Sequence, residues 1–266
     1  MMLRYNRNLS IYSPATSTWD ELKKLSNRTS RYSIVVLNLH LYALTSTETY
    51  RLKFSEPTAN WEKTADLIHY HGKFPPAIVL NGSIYVCGGS DLTSIQIVQK
   101  YDPEYDKWQN VARMKLKRSD HGIVSARGKI YCFGSKTGTD DSYRKGEVYD
   151  SQRQTWKFTA PMKRRALRMS AAEVEGLIYV AEESDFHCYD IKRDSWQTII
   201  LSNQWPNFHC DVFHVLALNN EIYIIGTDSI NNDALHKYDR NTSSINLIHK
   251  DPRFLAHSCA VANSDH

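Results

Sequence analysis

No run in this chain approaches the roughly 20 apolar residues that a membrane-spanning helix needs, and its N-terminal Met-Met-Leu-Arg-Tyr does not open a signal peptide. No membrane partner is expected. Charge of one sign is also lacking: 33 Lys and Arg against 29 Asp and Glu leave a formal +4. Nucleic-acid binding would ask for a concentrated basic stripe, so it is not expected either. Cysteine is scarce and odd in number. Cys87, Cys132, Cys188, Cys210 and Cys259 share no metal-type spacing, which fits reduced thiols in a cytosolic protein. Sequons at Asn8, Asn27, Asn81 and Asn241 are read as chance matches. The chain has no Gly-x-Ser-x-Gly elbow, no phosphate loop and no His-Glu-x-x-His pair. No catalytic group, cofactor or metal site is therefore expected.

What the chain has is repetition. Ile84-Tyr85, Ile130-Tyr131, Ile178-Tyr179 and Ile222-Tyr223 each follow a tight-turn signal and lead a short apolar run, at steps of 46, 48 and 44 residues. Leu41-Tyr42 is a weaker copy 43 residues before the first. A second beat follows. Tyr12, Tyr101, Tyr149 and Tyr189 each precede a tryptophan by seven residues, at Trp19, Trp108, Trp156 and Trp196. Tyr238 keeps the spacing with Ile245 in the tryptophan place, and Tyr50 pairs more loosely with Trp61. Asp, Pro, Asn and Ser between the aromatics favour a hairpin turn. Each unit therefore holds four short strands, lettered A to D, and a four-stranded sheet at this period predicts a β-propeller blade.

The order Ile84-Tyr85-Val86-Cys87-Gly88-Gly89, Tyr101, Trp108, Met114, Arg118 resembles the kelch repeat, and the resemblance extends over the whole chain. The glycine pair survives only at Gly88-Gly89; Gly134-Ser135, Ala181-Glu182, Gly226-Thr227 and Thr45-Ser46 stand elsewhere. The expected fold is all-β, a six-bladed kelch-type propeller with four antiparallel strands per blade. Its single domain of residues 1–266 divides into blades at about 1–26 plus 254–264, 33–66, 74–113, 121–160, 170–200 and 213–249. Residues 258–263 read as a lone strand A and the N-terminus as a blade lacking one, so the C-terminal strand is expected to complete the N-terminal blade and remove the free edges. This closure is similar to that of the kelch domains of BTB–kelch proteins, and that likeness implies BTB and BACK domains ahead of Met1.

Strands alternate in direction, so the short A–B and C–D turns share one rim and the longer B–C and D–A connections share the other. Variable connections on a rigid scaffold are where binding residues usually sit. Arg118, Asp120 and His121 precede one strand A, and Arg165 and Arg168 sit similarly one blade on. They could grip an acidic segment by bidentate contacts or form a solvated or internally bonded edge. Trp205, Phe208 and His209 surround Pro206 in a long connection, as interface anchors or as plugs between blades. Tyr70 and His71 lie with His69 in another loop, and Tyr143 in the long 135–146 connection.

The resemblance implies a non-catalytic, cytoplasmic protein-interaction module. It would present a protein or peptide, with an acidic segment, to a cullin–RING ubiquitin ligase engaged through the BTB and BACK domains. The alternatives are a kelch protein that binds actin or another cytoskeletal filament, and a diverged viral kelch protein that keeps only partner binding. Copper oxidases with kelch-like folds exist, but nothing specific in these residues supports one.

Overall fold

The computed structural model describes the chain apart from residues 1, 6–8, 14–17, 23–24, 26–31, 57–58, 91–94, 137, 168, 183–184, 207, 229–232, 252–257 and 262–266. Strands β1 (Met2–Tyr5), β2 (Leu9–Ser13) and β3 (Thr18–Leu22) open it. Blade two holds β4 (Ser33–Leu37), β5 (His40–Leu44), β6 (Thr49–Lys53) and β7 (Glu62–Lys63). Blade three holds β8 (Ala77–Leu80), β9 (Ser83–Cys87), β10 (Val98–Asp102) and β11 (Lys107–Asn110). Blade four holds β12 (Gly122–Ala126), β13 (Lys129–Phe133), the short α1 (Asp140–Arg144), β14 (Lys145–Asp150) and β15 (Thr155–Pro161). Blade five is β16 (Ser170–Val174), β17 (Leu177–Ala181), β18 (Phe186–Asp190) and β19 (Ser195–Thr198). Blade six is β20 (Phe208–Leu218), β21 (Glu221–Asp228), β22 (Asp233–Asp239) and β23 (Ser244–Asp251), and β24 (Ser258–Val261) ends the chain.

The expected count of six blades is corrected in one respect: the continuous four-stranded blades number five, from β4 to β23. The chain supplies only three consecutive strands for a further blade. The remaining sheet is composite, in the order β24-β1-β2-β3, with Met2 opposite Val261 and Tyr5 opposite Ser258. The inner strands β24, β4, β8, β12, β16 and β20 touch in succession and return to β24. Six sheets thus stand in a closed ring, one of them shared by the two chain ends.

The residues explain the elements. Every A–B turn of the five continuous blades holds left-handed backbone, at Asn38-Leu39, Asn81-Gly82, Arg127-Gly128, Glu175-Gly176 and Asn219-Asn220. Such turns match the twist of the strands they join. Strand B is buried along its length, as in β9, because sheets pack on both of its faces. One apolar cluster joins Tyr42 and Leu44 of blade two to Ile84, Tyr101 and Trp108 of blade three. The next joins Tyr85 and Val98 to Ile130, Tyr149 and Trp156 of blade four. The core is therefore a series of layers between blades.

The Tyr–Trp beat stitches these layers. Trp108 Nε1 donates to the carbonyl of Ala65 in the preceding blade's connection at 3.1 Å, Trp156 to Ala112 at 2.8 Å and Trp196 to Ala160 at 2.9 Å. In blade three, Asp106 accepts both the Tyr101 hydroxyl at 2.7 Å and the Ala65 amide at 2.9 Å. Asp194 does the same for Tyr189 at 2.6 Å and Ala160 at 2.7 Å. Where Ile245 replaces tryptophan, Asn203 exchanges two hydrogen bonds with its backbone, at 2.8 and 3.0 Å.

Blade four breaks the pattern. Gln154 stands where the other two blades have Asp, and the buried Tyr149 hydroxyl has no partner. An unsatisfied buried hydroxyl costs about 1–3 kcal/mol. Gln154→Asp should therefore stabilise the protein by about 1–2 kcal/mol, raising the thermal midpoint by about 2–4 °C per kcal/mol for a domain of this size. Tyr149→Phe should be nearly neutral, whereas Tyr101→Phe and Tyr189→Phe should each cost about 1 kcal/mol. Equal costs in all three Phe variants, measured by urea unfolding, would contradict the assignment.

Candidate functional interface on the B–C and D–A rim

Backbone contacts place the B–C and D–A connections on one rim and tie them together. Ser90 N donates to His71 O at 3.0 Å, Lys136 N to Ser119 O at 2.7 Å, and Ser135 N to Ala166 O at 3.4 Å. Each pair joins the B–C connection of one blade to the D–A connection of the blade before it or its own. The other rim carries the tight turns, where Arg240 of one blade meets Glu175 of its neighbour at 2.8 Å. Glycine matters in this bracing, most closely at Gly89. A Cβ on Gly89 would lie 2.2 Å from the His71 carbonyl oxygen, so the connection can approach only a residue without a side chain.

Arg118 is fully buried, and its expected role in gripping a partner is corrected. Its guanidinium pairs with Glu147, likewise fully buried, at 3.1 Å. It also donates to the carbonyls of Gly134 at 2.8 Å, Ser142 at 3.1 Å and Lys145. Glu147 accepts in addition from the amides of Lys115 at 2.6 Å and Leu116 at 3.0 Å. The arginine that follows the methionine in this repeat thus clamps the D–A connection of blade three into the B–C connection of blade four. With every charge compensated, the pair is tolerated in the interior, but either member alone is not. Glu147, the partner that gives Arg118 its role, is a residue that the sequence did not single out.

His121 and His71 are corrected for the same reason, since both are buried. His71 Nδ1 meets the Gly88 carbonyl at 2.5 Å and its Nε2 meets the Gln99 amide nitrogen at 2.5 Å. This arrangement suits a neutral ring that donates from Nδ1 and accepts at Nε2. His121 lies near the buried Cys132 thiol. Burial pushes that thiol up, but a hydrogen bond from Cys87, the His121 ring and the Arg118 charge outweigh it and bring it down. Trp205 is half-buried and packs on Phe186, with ring centroids 5.8 Å apart, so it fills the space between blades five and six. The side chains of Phe208 and His209 lie outside the described residues, as does Arg168.

The remaining expected residues face solvent. Tyr70 is 49% exposed. Asp120 is exposed and 3.5 Å from Lys136. Arg165 reaches Asp140 at 2.7 Å and lies over the Tyr143 ring at 5.6 Å. Beside it stand exposed Lys163, Arg164 and Leu167. The structure thus brings Tyr143 and Arg165 together with Asp140, while Arg118, bonded to the Ser142 carbonyl of the same helix, is buried. It yields a mixed surface of cations, carboxylates and apolar groups where the sequence suggested a basic groove. Among the described residues, no helix is long and apolar enough to cross a membrane.

The Kelch motif matches residues 72–115 and 117–163. Kelch-like protein 25 of Xenopus tropicalis is 26% identical over 231 residues, 77% of this chain and 37% of that protein. Kelch-like protein 15 of Danio rerio is 22% identical over 253 residues, 80% of this chain and 41% of that protein. An F-box/kelch-repeat protein of Arabidopsis thaliana is 27% identical over 143 residues, 52% of this chain and 36% of that protein. The chain thus spans well under half the length of these relatives. The solved structure of YjhT superposes with a TM-score of 0.70 at 12% identity, covering 88% of this chain and 87% of that one. That likeness shows the fold.

Two outcomes test the geometry of the rim. Arg118→Ala, which leaves Glu147 buried and unpaired, should cost about 3–5 kcal/mol, read from chemical unfolding. Burial also pushes the His71 ring below its ordinary value and the His236 ring to about 4. A histidine depressed in the folded state contributes stability that is complete above about 6.5 and is lost as pH falls toward its folded value. The thermal midpoint should therefore decline between about pH 6.5 and pH 4, and the decline should be shallower when both are replaced by glutamine.

Proposed function

Because this chain is a kelch-repeat β-propeller, we propose that it is a non-catalytic protein-interaction module whose ligand docks on the B–C and D–A rim. The observation that carries the reading is the contrast between the rims. One consists of short left-handed turns of repeated form. The other is a hydrogen-bonded layer of irregular connections that displays exposed Lys163, Arg164, Arg165 and Leu167. A rigid frame with varied side chains suits selective capture of a protein, since little ordering entropy is lost on binding.

The relatives named Kelch-like and F-box/kelch-repeat support a finer reading. In it the chain is the substrate-recognition part of a cytoplasmic BTB–kelch adaptor for a cullin–RING ubiquitin ligase. The contact to the ligase belongs to segments outside the propeller, and the rim holds the protein to be modified. A partner with an acidic segment fits the three adjacent cations at 163–165, although Arg164 and Arg165 also have local carboxylates 3.8 and 2.7 Å away. Exchange of those local pairs for a partner's carboxylates costs little, because exposed pairs are weak.

Affinity capture from cells with the wild-type propeller and with a Lys163→Glu/Arg164→Glu/Arg165→Glu variant tests this. All three positions are exposed, so the variant should keep the wild-type unfolding midpoint and lose the captured protein, with binding weakened at least tenfold. Unchanged capture by the folded variant would remove the basic stretch from the interface. Co-sedimentation with actin, or no cullin in the complex formed by the whole gene product, would set aside the ligase reading.

A further inference from the structure

The B–C connection of blade five is short, and it gathers three potential metal ligands that the rim-binding reading does not use. Glu182 follows β17, Asp185 precedes β18, and His187 is the second residue of β18. The turn is closed by a hydrogen bond from Glu182 N to Asp185 O at 3.0 Å. One donor atom from each of the three side chains lies within 4.8 Å of the others. The His187 Nε2 to Glu182 Oε1 distance is 3.2 Å, close to the ~3.4 Å that separates two ligands on one tetrahedral ion.

Three further observations point to a ligand. Glu182 and His187 are nearly buried, with side chains 12% and 10% exposed, so the carboxylate is largely removed from solvent. The far side of the His187 ring is fixed, since the Thr198 hydroxyl lies 3.3 Å from Nδ1. Thr198 is the cross-strand neighbour of His187 on β19, and its hydroxyl can accept from Nδ1–H, the tautomer in which Nε2 is free to bind a cation held by Glu182. Third, Asp185 and His187 line a cavity of about 250 Å³, with Thr198, Trp196, Lys163 and Arg164 also on its wall.

We propose that Glu182, Asp185 and His187 form a binding site for a divalent first-row transition-metal ion of the zinc class. One imidazole and two carboxylates match the nitrogen and oxygen donors that zinc takes. Calcium would instead require six to eight oxygen ligands. Three protein ligands leave a fourth position, directed to the cavity and open to water or to a group of a docked protein. Thr198 is a positioning residue that holds the imidazole in the metal-binding tautomer. Arg164 lies 3.8 Å from Asp185 with its side chain 80% exposed, and such a loose pair gives way to a metal ion.

The test titrates the whole metal-stripped chain with zinc ion alone by calorimetry, and with cobalt(II) followed by its visible absorption. One site per chain is expected, with cobalt bands of tetrahedral intensity and a zinc-dependent rise in thermal midpoint. Glu182→Gln and His187→Gln should abolish both signals, and Thr198→Val should weaken binding by roughly 10–100-fold. Asp185→Asn, in a turn where the side chain is 32% exposed, provides a folded variant that should also lose binding. Absence of stoichiometric zinc uptake by the wild type overturns the proposal. So does undiminished uptake by the Glu182→Gln/Asp185→Asn double variant, which would place the ion elsewhere.

Discussion

The structure depends on the contact between adjacent blades more than on any single sheet. A four-stranded sheet of this size has two apolar faces and cannot bury both alone, so each blade is stable only between neighbours. The layers that join Tyr42 to Tyr101 and Tyr85 to Tyr149, with ring centroids 5.8 and 6.0 Å apart, supply the apolar part of that contact. The indole N–H groups of Trp108, Trp156 and Trp196 supply a directional part, since each donates to one carbonyl of the blade before it. A series built this way has two unsatisfied ends unless it closes. Pairing of β24 with β1 closes it, which explains why the last strand of the chain belongs to the sheet of the first.

The same constraint governs the rim. A buried arginine is costly unless every donor is matched, and Arg118 is matched by one carboxylate and three carbonyls drawn from blade four. Because those partners belong to the next blade, the pair forms only when two blades are in register. It therefore acts on blade alignment as well as on the connection itself. The surface proposed to bind a partner is what remains after this bracing, namely the side chains that the braces turn outward.

Much of the fold was legible because its signals are local. Asn81-Gly82 and Arg127-Gly128 announce left-handed turns within two residues, and Tyr101 and Trp108 sit directly opposite each other on neighbouring strands. Division into continuous blades was less legible. Strands β1–β3 and β24 share one sheet, which leaves five continuous blades. The site was harder still. Arg118 and Glu147 are 29 residues apart and on different blades, so nothing near Arg118 in the sequence tells a buried clamp from a ligand-binding cation. His71 was misplaced for the same reason, because Gly88 and Gln99 lie 17 and 28 residues away. The acidic character of the 182–185 connection was visible, but the approach of His187 depends on strand register, which spacing alone does not give.

Bracing also bears on how a rim of this kind can diverge. Residues whose partners lie in another blade, such as Arg118, Glu147 and His71, cannot change singly without leaving a buried polar group unpaired. Lys163, Arg164, Arg165 and Leu167 sit on a connection held by its backbone, through Ser135 N to Ala166 O and Ala166 N to Tyr143 O. Their side chains can be exchanged while those bonds persist. The exposed positions that alternate with fixed ones are thus free to vary, as a binding surface proposed there would need. Loss of the glycine pair in four of the repeats fits the same logic. At Gly88, Gly89 and Gly134 a carbonyl from another connection approaches to within 3.0 Å of where a Cβ would sit, and at those positions the glycine has stayed.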